Sequence, residues 1–252
     1  MRYAMITGAS HGTGLAIARR FARAGYGVIL TSRSAAQADG AAEIIKKEYP
    51  VFAVGYACAA GDEEQVKQIF HDLAAQERFV CALVLNAADL GMNQPSLTVP
   101  RDEWRQVIET NLVWNFSVMR EAAEHMKRLG GGSIAVIGSN TARRAIPDRS
   151  AYIASKGGLV ALTKALAVEW GEYRIRVNVV VSGSIKTDRW ANQTEEWRQI
   201  RRDRAPIGDI ADFDDIANAA FFLCSDEARI ITGAELCADG GVDAQFLPKC
   251  AR

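Results

Sequence analysis

Histidine and cysteine are scarce in this sequence, and that scarcity is the first constraint on function. The three histidines (11, 71, 125) and five cysteines (58, 81, 224, 237, 250) fall in no metal-ligand spacing and no CxxC pair. This argues against a metal site, and the odd cysteine count fits reduced thiols in a cytoplasmic protein. An excess of one charge sign is also missing. Thirty Lys and Arg balance thirty Asp and Glu, so neither nucleic acid nor a membrane surface is an expected partner. No apolar run approaches the ~20 residues needed to span a bilayer. The first strand begins by Tyr3, which leaves no expected room for a signal peptide. No repeat, linker or low-complexity tract interrupts the 252 residues, so one domain spanning 1–252 is expected.

What is present is alternation. Short apolar runs, YAMIT (3–7), VILT (28–31), FAVGY (52–56), ALVL (82–85), SIAVI (133–137), RVNVVV (176–181) and AELCA (234–238), read as strands. Amphipathic stretches near 14–24, 35–48, 62–76, 101–129, 150–170 and 214–224 read as helices. Near-continuous apolar strands alternating with helices predict an α/β, Rossmann-type, doubly wound seven-stranded parallel sheet with helices on both faces. Its ligand site lies at the carboxyl ends of the strands. The irregular, charged stretch 183–210 follows the sixth strand and is a candidate substrate lid.

The first strand runs into TGASHGTG (7–14). Gly8 allows a sharp turn, while Gly12 and Gly14 let backbone approach a ligand and the helix pack on the sheet. Helix N-terminal N–H groups favour an anion, so a pyrophosphate is the natural occupant. Purely steric glycine turns exist as well. The second strand ends in Ser32 and Arg33 rather than the acid that would bond the ribose hydroxyls of NAD. A guanidinium makes forked, charge-assisted bonds to a 2′-phosphate. Together with His11, this predicts NADP(H) as the preferred cofactor, with NAD(H) possible. Further along, Tyr152 and Lys156 stand four apart on one face of a helix start. A neighbouring ammonium favours phenolate, which would make Tyr152 a usable acid–base.

Taken in order, TGASHGTG, LVLNAA, ETNLVWN, VIGSN and YIASK resemble the short-chain dehydrogenase/reductase family along essentially the whole chain. Ser139 stands thirteen residues before Tyr152, as in that family, and ITGAELCADGG resembles its closing strand and turn. The resemblance implies that Tyr152 exchanges a proton with the substrate oxygen while nicotinamide carries the hydride. Ser139 would bond that oxygen, and Lys156 would lower the Tyr152 pKa and bind the nicotinamide ribose. Asn111 would hold, through its backbone, a water linking Lys156 to solvent, unless it is simply a helix-bulge residue. The implied cofactor-binding set is Gly8, Ser10, His11, Gly12, Thr13, Gly14, Ser32, Arg33, Asn86, Tyr152, Lys156, Gly183, Ile185 and Thr187, the last alternatively a loop cap. A homotetramer or homodimer is expected. Apolar residues on the outer faces of the long helices, Trp114, Phe116, Leu159 and Leu162, are read as subunit contacts.

Three positions depart from the family pattern. Ala59 stands where an acid usually contacts adenine, Ala88 replaces the glycine of NAG, and Ser182 replaces the proline before Gly183. Losing one peripheral hydrogen bond costs on the order of 1 kcal/mol, so weakened rather than abolished cofactor binding is expected. The substrate pocket is expected to include Asn140, Arg144 and Trp190, with Arg143 and the lid arginines nearby. That wall suits a polar or anionic carbonyl/alcohol compound: an oxoacyl thioester, a sugar or polyol, or a keto acid. Alternatively, Asp188, Glu195, Glu196 and Asp203 could salt-bridge the lid arginines and leave them solvated. The competing functional class is a non-catalytic NADP(H)-binding regulator on the same fold.

Overall fold

A computed structural model describes residues 1–247; Cys250 lies outside them. Seven parallel strands form one sheet in the order β3-β2-β1-β4-β5-β6-β7. They are β1 (Tyr3–Ile6), β2 (Gly27–Ser32), β3 (Ala53–Ala57), β4 (Val80–Leu85), β5 (Gly132–Ile137), β6 (Ile175–Ser182) and β7 (Glu235–Ala238). The helices that return the chain between strands begin with α1 (Gly12–Arg23), α2 (Ala35–Glu48), α3 (Glu63–Ala75), α4 (Arg101–Ile108) and α5 (Trp114–Arg128). They continue with α6 (Ser150–Glu169), α7 (Asp188–Ala191), α8 (Glu195–Arg204) and α9 (Phe213–Cys224).

Strand side chains alternate between the two faces, and each face seeds its own core. Ala4, Ile6, Val28 and Leu30 join Leu15, Phe21, Ile45 and Leu223 on the side of α1, α2 and α9. Met5, Ile29, Ile134 and Val136 join Phe70, Trp114, Leu159 and Leu166 on the side of α3, α5 and α6. The strand order reverses between β1 and β4, which opens the crevice at their carboxyl ends where a ligand can enter.

Several expectations change in detail. Trp114 and Leu159 are each 1% exposed and belong to the core rather than to an outer face. Phe116 does reach the surface, beside Val113, because the apolar stripe of this helix is wider than the sheet-facing side alone. The helical stretch 101–129 is divided by a π-helical turn at Glu109–Val113, an irregularity that hydrophobic periodicity does not report. The stretch 183–210 contains α7 and α8, the latter capped by the Thr194 side chain accepting from the Trp197 N–H. By length and mean hydropathy (1.2), Ser150–Tyr173 could cross a bilayer. In the fold one side of it packs on β6 and α4, with Leu159, Thr163, Leu166 and Ala167 buried.

Candidate active site

The glycine turn is built by close backbone approach. Gly8 and Gly12 adopt φ of 62° and 54°, and a Cβ on Gly14 would stand 2.2 Å from the Gly8 carbonyl oxygen. Asn86, at the end of β4, braces this turn by donating from Nδ2 to the carbonyls of Thr7 (3.1 Å) and Gly8 (2.9 Å). The buried Thr7 hydroxyl accepts in return from the Asn86 and Ala87 N–H groups. The His11 side chain makes no capping bond at the start of α1, and the first turn carries no acid. The leading N–H groups are therefore left for an anion. His11 itself is exposed, with Nδ1 3.0 Å from Ser10 Oγ; Thr13 is half-buried in the first turn of α1.

At the end of β2, Ser32 is buried and donates to Gln37 Oε1 (3.2 Å). Arg33 is exposed, with no hydrogen bond or ion pair among the described residues. A free cation stands there without a carboxylate to neutralise it. The Ala59 N–H donates to Gln65 Oε1 (2.9 Å), so the backbone at that departure is satisfied locally. Ser182 adds a bond of its own, donating to the Gly138 carbonyl (2.9 Å) across the β5 and β6 ends. Ala88 is exposed. Beyond Ser182, a Cβ on Gly183 would come within 2.8 Å of Asp239 Cβ. Ile185 bridges to Ala211, and Thr187 is the N-cap residue of α7 without a side-chain cap bond.

Tyr152 and Lys156 occupy the first turns of α6. The Lys156 ammonium is 3% exposed, donates to the Ile137 carbonyl at 2.8 Å and lies 5.7 Å from the centre of the Tyr152 ring. Burial pushes its pKa down to about 8. The Tyr152 phenol moves the other way. Burial raises its pKa, while a hydrogen bond with the Ser139 side chain and the Arg149 charge oppose that rise. Desolvation dominates, and the opposing contributions come from Ser139 and Arg149 rather than from the expected Lys156. Ser139 is buried, and its hydroxyl also bonds Thr141 Oγ1 (2.8 Å) and accepts from the Thr141 N–H (3.2 Å).

Asn111 sits in the π-turn, fully buried. Its side chain accepts from the Asp89 N–H (2.7 Å) and donates to the Asp89 carbonyl (2.8 Å) and Ser155 Oγ (3.0 Å). Its own carbonyl accepts from Asn115 Nδ2 (2.7 Å), so the backbone group expected to hold a water already has one partner. Asn111 thus occupies the helix-bulge position, and its side chain ties that bulge to the loop after β4 and to α6. Among the expected substrate residues, Asn140 opens a short 3-10 turn, Asn140–Ala142. Trp190 packs edge-on against Trp197 at 5.7 Å. Arg144 is turned to the closing segment, donating to the Asp243 carbonyl (2.6 Å) and pairing with its carboxylate (3.4 Å). Arg143 likewise pairs with Glu235 (2.7 Å).

Sequence reasoning passed over Thr7, Asn115, Ser155 and Arg149, which position the site. Ser155 lies between Tyr152 and Lys156 and donates to the Tyr152 carbonyl (2.8 Å). Arg149 ties the loop after β4 to α6 through the Leu90 (2.7 Å) and Gly91 (2.9 Å) carbonyls. Their one visible signal is adjacency to motif residues. A cavity of about 490 Å³ opens around Tyr26, Gly131 and Arg176. It lies at the amino ends of the strands, away from this chemistry.

The residues present fit a dinucleotide. The uncapped α1 N-terminus suits its pyrophosphate, Arg33, unpaired among the described residues, suits an adenosine-side phosphate, and Lys156, with one hydrogen bond among those residues for three donors, can grip ribose hydroxyls. Comparison with known proteins agrees. Residues 8–243 match the family model described as enoyl-(acyl carrier protein) reductase. An uncharacterized oxidoreductase of Thermotoga maritima is 34% identical over 98% of this chain and 97% of its own. The chain belongs to the short-chain dehydrogenase/reductase family. Another relative of this family is the 3-oxoacyl-(acyl-carrier-protein) reductase FabG of Aquifex aeolicus, 31% identical over 96% of this chain and 97% of its own. A solved NAD+-bound xylitol dehydrogenase superposes with a TM-score of 0.89 at 25% identity, over 95% of this chain and 98% of that one. As a short-chain dehydrogenase/reductase, the protein is an oxidoreductase acting on alcohol and carbonyl groups, in a family that binds NAD(P)(H).

Proposed function

We propose that the protein is an NADP(H)-preferring dehydrogenase/reductase in which Tyr152 is the acid–base and the substrate is polar or anionic. The carrying observation is the nearly inaccessible Lys156 ammonium, anchored to Ile137 beside Tyr152 with only one of its donors used. When bound, the nicotinamide supplies or accepts the hydride. Tyr152 delivers the proton to the substrate oxygen, or removes it in the reverse direction, from a water-poor setting. Ser139 donates a hydrogen bond to that oxygen as charge develops on it. Lys156 holds the ribose and its charge favours phenolate once the proton has left. Asn111 and Ser155 fix the π-turn against α6, so that Tyr152 and Lys156 keep their spacing.

The NADP(H) preference rests on Arg33, unpaired at the end of β2, and on the absence of an acid there. Sulfhydryls at Cys58, Cys81, Cys224 and Cys237 are free, which suits a reducing, cytoplasmic setting. A non-catalytic regulator has no use for a buried ammonium against a phenol. Oxidation of NADPH by the pure protein, followed across a panel of ketones and keto acids and repeated with NADH, tests the reading. Turnover with NADPH above NADH supports it. No turnover with any carbonyl compound counts against it.

A further inference from the structure

The lid carries five arginines, and the structure sorts them by partner. Arg198 and Arg202 both pair with Glu195, and Arg189 and Arg204 are exposed to solvent. Arg201 is different. It is half-buried, its only hydrogen bond among the described residues is a long one from Nη1 to Ser184 Oγ (3.5 Å), and its guanidinium lies 4.5 Å over the Trp197 ring. The helix spacing explains why no acid reaches it. Its neighbours at three and four residues along α8 and its end are Trp197, Arg198, Arg204 and Ala205. Burial and the Arg204 charge both disfavour its cation. A partly desolvated guanidinium without a carboxylate is costly to keep, and an arriving anion relieves that cost.

The position makes the anion specific. Ser184 follows Gly183 in the loop leaving β6, at the carboxyl end of the sheet where ligands enter. Trp197 offers a flat face, and Trp190 closes against it. We propose that Arg201 is a specificity-determining residue that receives the anionic oxygen of a bound small molecule, a carboxylate or a phosphate, between the lid and the loop after β6. The proposal rests on the reading of this crevice as the dehydrogenase/reductase site. The anion belongs either to the substrate or to a cofactor phosphate.

Calorimetric titration into the NADP+ complex of the full chain separates these sources. Three matched pairs serve as probes: acetoacetate and methyl acetoacetate, gluconate and sorbitol, glycerol 3-phosphate and glycerol. In the wild type, at least one anion is expected to bind about 10- to 100-fold more tightly than its neutral partner, the range of a charge-assisted contact. Arg201→Leu removes that discrimination with an unchanged Kd for NADP+, and Arg201→Lys keeps part of it. Arg202→Leu, which removes a paired arginine, leaves both readouts as in the wild type. A 10- to 100-fold weaker NADP+ Kd in Arg201→Leu instead assigns the anion to the cofactor. The proposal is overturned if no pair is discriminated by the wild type and NADP+ affinity is indifferent to Arg201→Leu. It is equally overturned if discrimination survives Arg201→Leu. Because binding is read without turnover, loss of the Tyr152 chemistry would show separately, as an absence of NADPH oxidation alongside intact anion discrimination.

Discussion

The Lys156 ammonium donates to the Ile137 carbonyl at 2.8 Å, and this bond joins helix α6 to the end of β5. The carbonyl stabilises the charge, yet burial dominates and brings the pKa down to about 8. Between that value and ~10.5 the unfolded chain holds a proton at this position that the folded chain has released. Stability therefore rises with pH across that window, by up to ~3 kcal/mol from this group. Urea midpoints for wild type and Lys156→Met at pH 8 and pH 10.5 check this. The wild type should gain relative to the variant as pH rises, and parallel curves would contradict it.

Asn111 makes three side-chain bonds with no exposure to water. Asn111→Ala leaves both Asp89 backbone groups without their partner and frees Ser155 Oγ. A loss of about 2–4 kcal/mol is expected from such a buried network. Denaturant unfolding measures it; a loss below about 0.5 kcal/mol would mean that the π-turn holds itself.

Arg33 has no carboxylate partner among the described residues, which leaves its charge for a phosphate. Arg33→Asp replaces charge-assisted attraction by repulsion, a change of a few kcal/mol. The ratio of kcat/KM for NADPH to that for NADH should fall by about 100-fold or more and reverse. An unchanged ratio would place the cofactor's adenosine end elsewhere.

Assembly is expected to use exposed apolar residues of the helices that flank the site. Val113, Phe116 and Val168 are 40%, 37% and 83% exposed, a pattern suited to helix-on-helix subunit contact. Light scattering of wild type should give a dimer or tetramer at micromolar concentration, and Phe116→Asp with Val168→Asp should give smaller species. A wild-type monomer would contradict this.

The sheet, its order of elements and the family motifs were legible because each rests on local pattern: apolar runs, glycines where backbone must approach, and fixed spacings such as Ser139 to Tyr152. What was not legible depends on partners remote in sequence. Arg144 reads as a pocket residue until Asp243, 99 positions away, accepts from it through its backbone carbonyl. Trp114 reads as an outer-face residue because the π-turn at Glu109–Val113 changes the phase of the helix that follows. The sign of the Tyr152 shift follows from burial, which sequence spacing does not report.

Tyr152 is proposed to move the proton while its neighbours hold the cofactor, and Tyr152→Phe separates the two roles by removing one hydroxyl. The measurement is kcat beside the NADPH Kd on the same preparation. A fall in kcat of about 10²–10⁴-fold is expected, the usual worth of general acid–base catalysis, with fold and Kd retained. With Ser139 and Lys156 proposed to act on the same proton, adding their substitutions to Tyr152→Phe should lower kcat by much less than the product of the single losses. A Tyr152→Phe protein that keeps most of its activity would contradict the account and place the acid–base elsewhere.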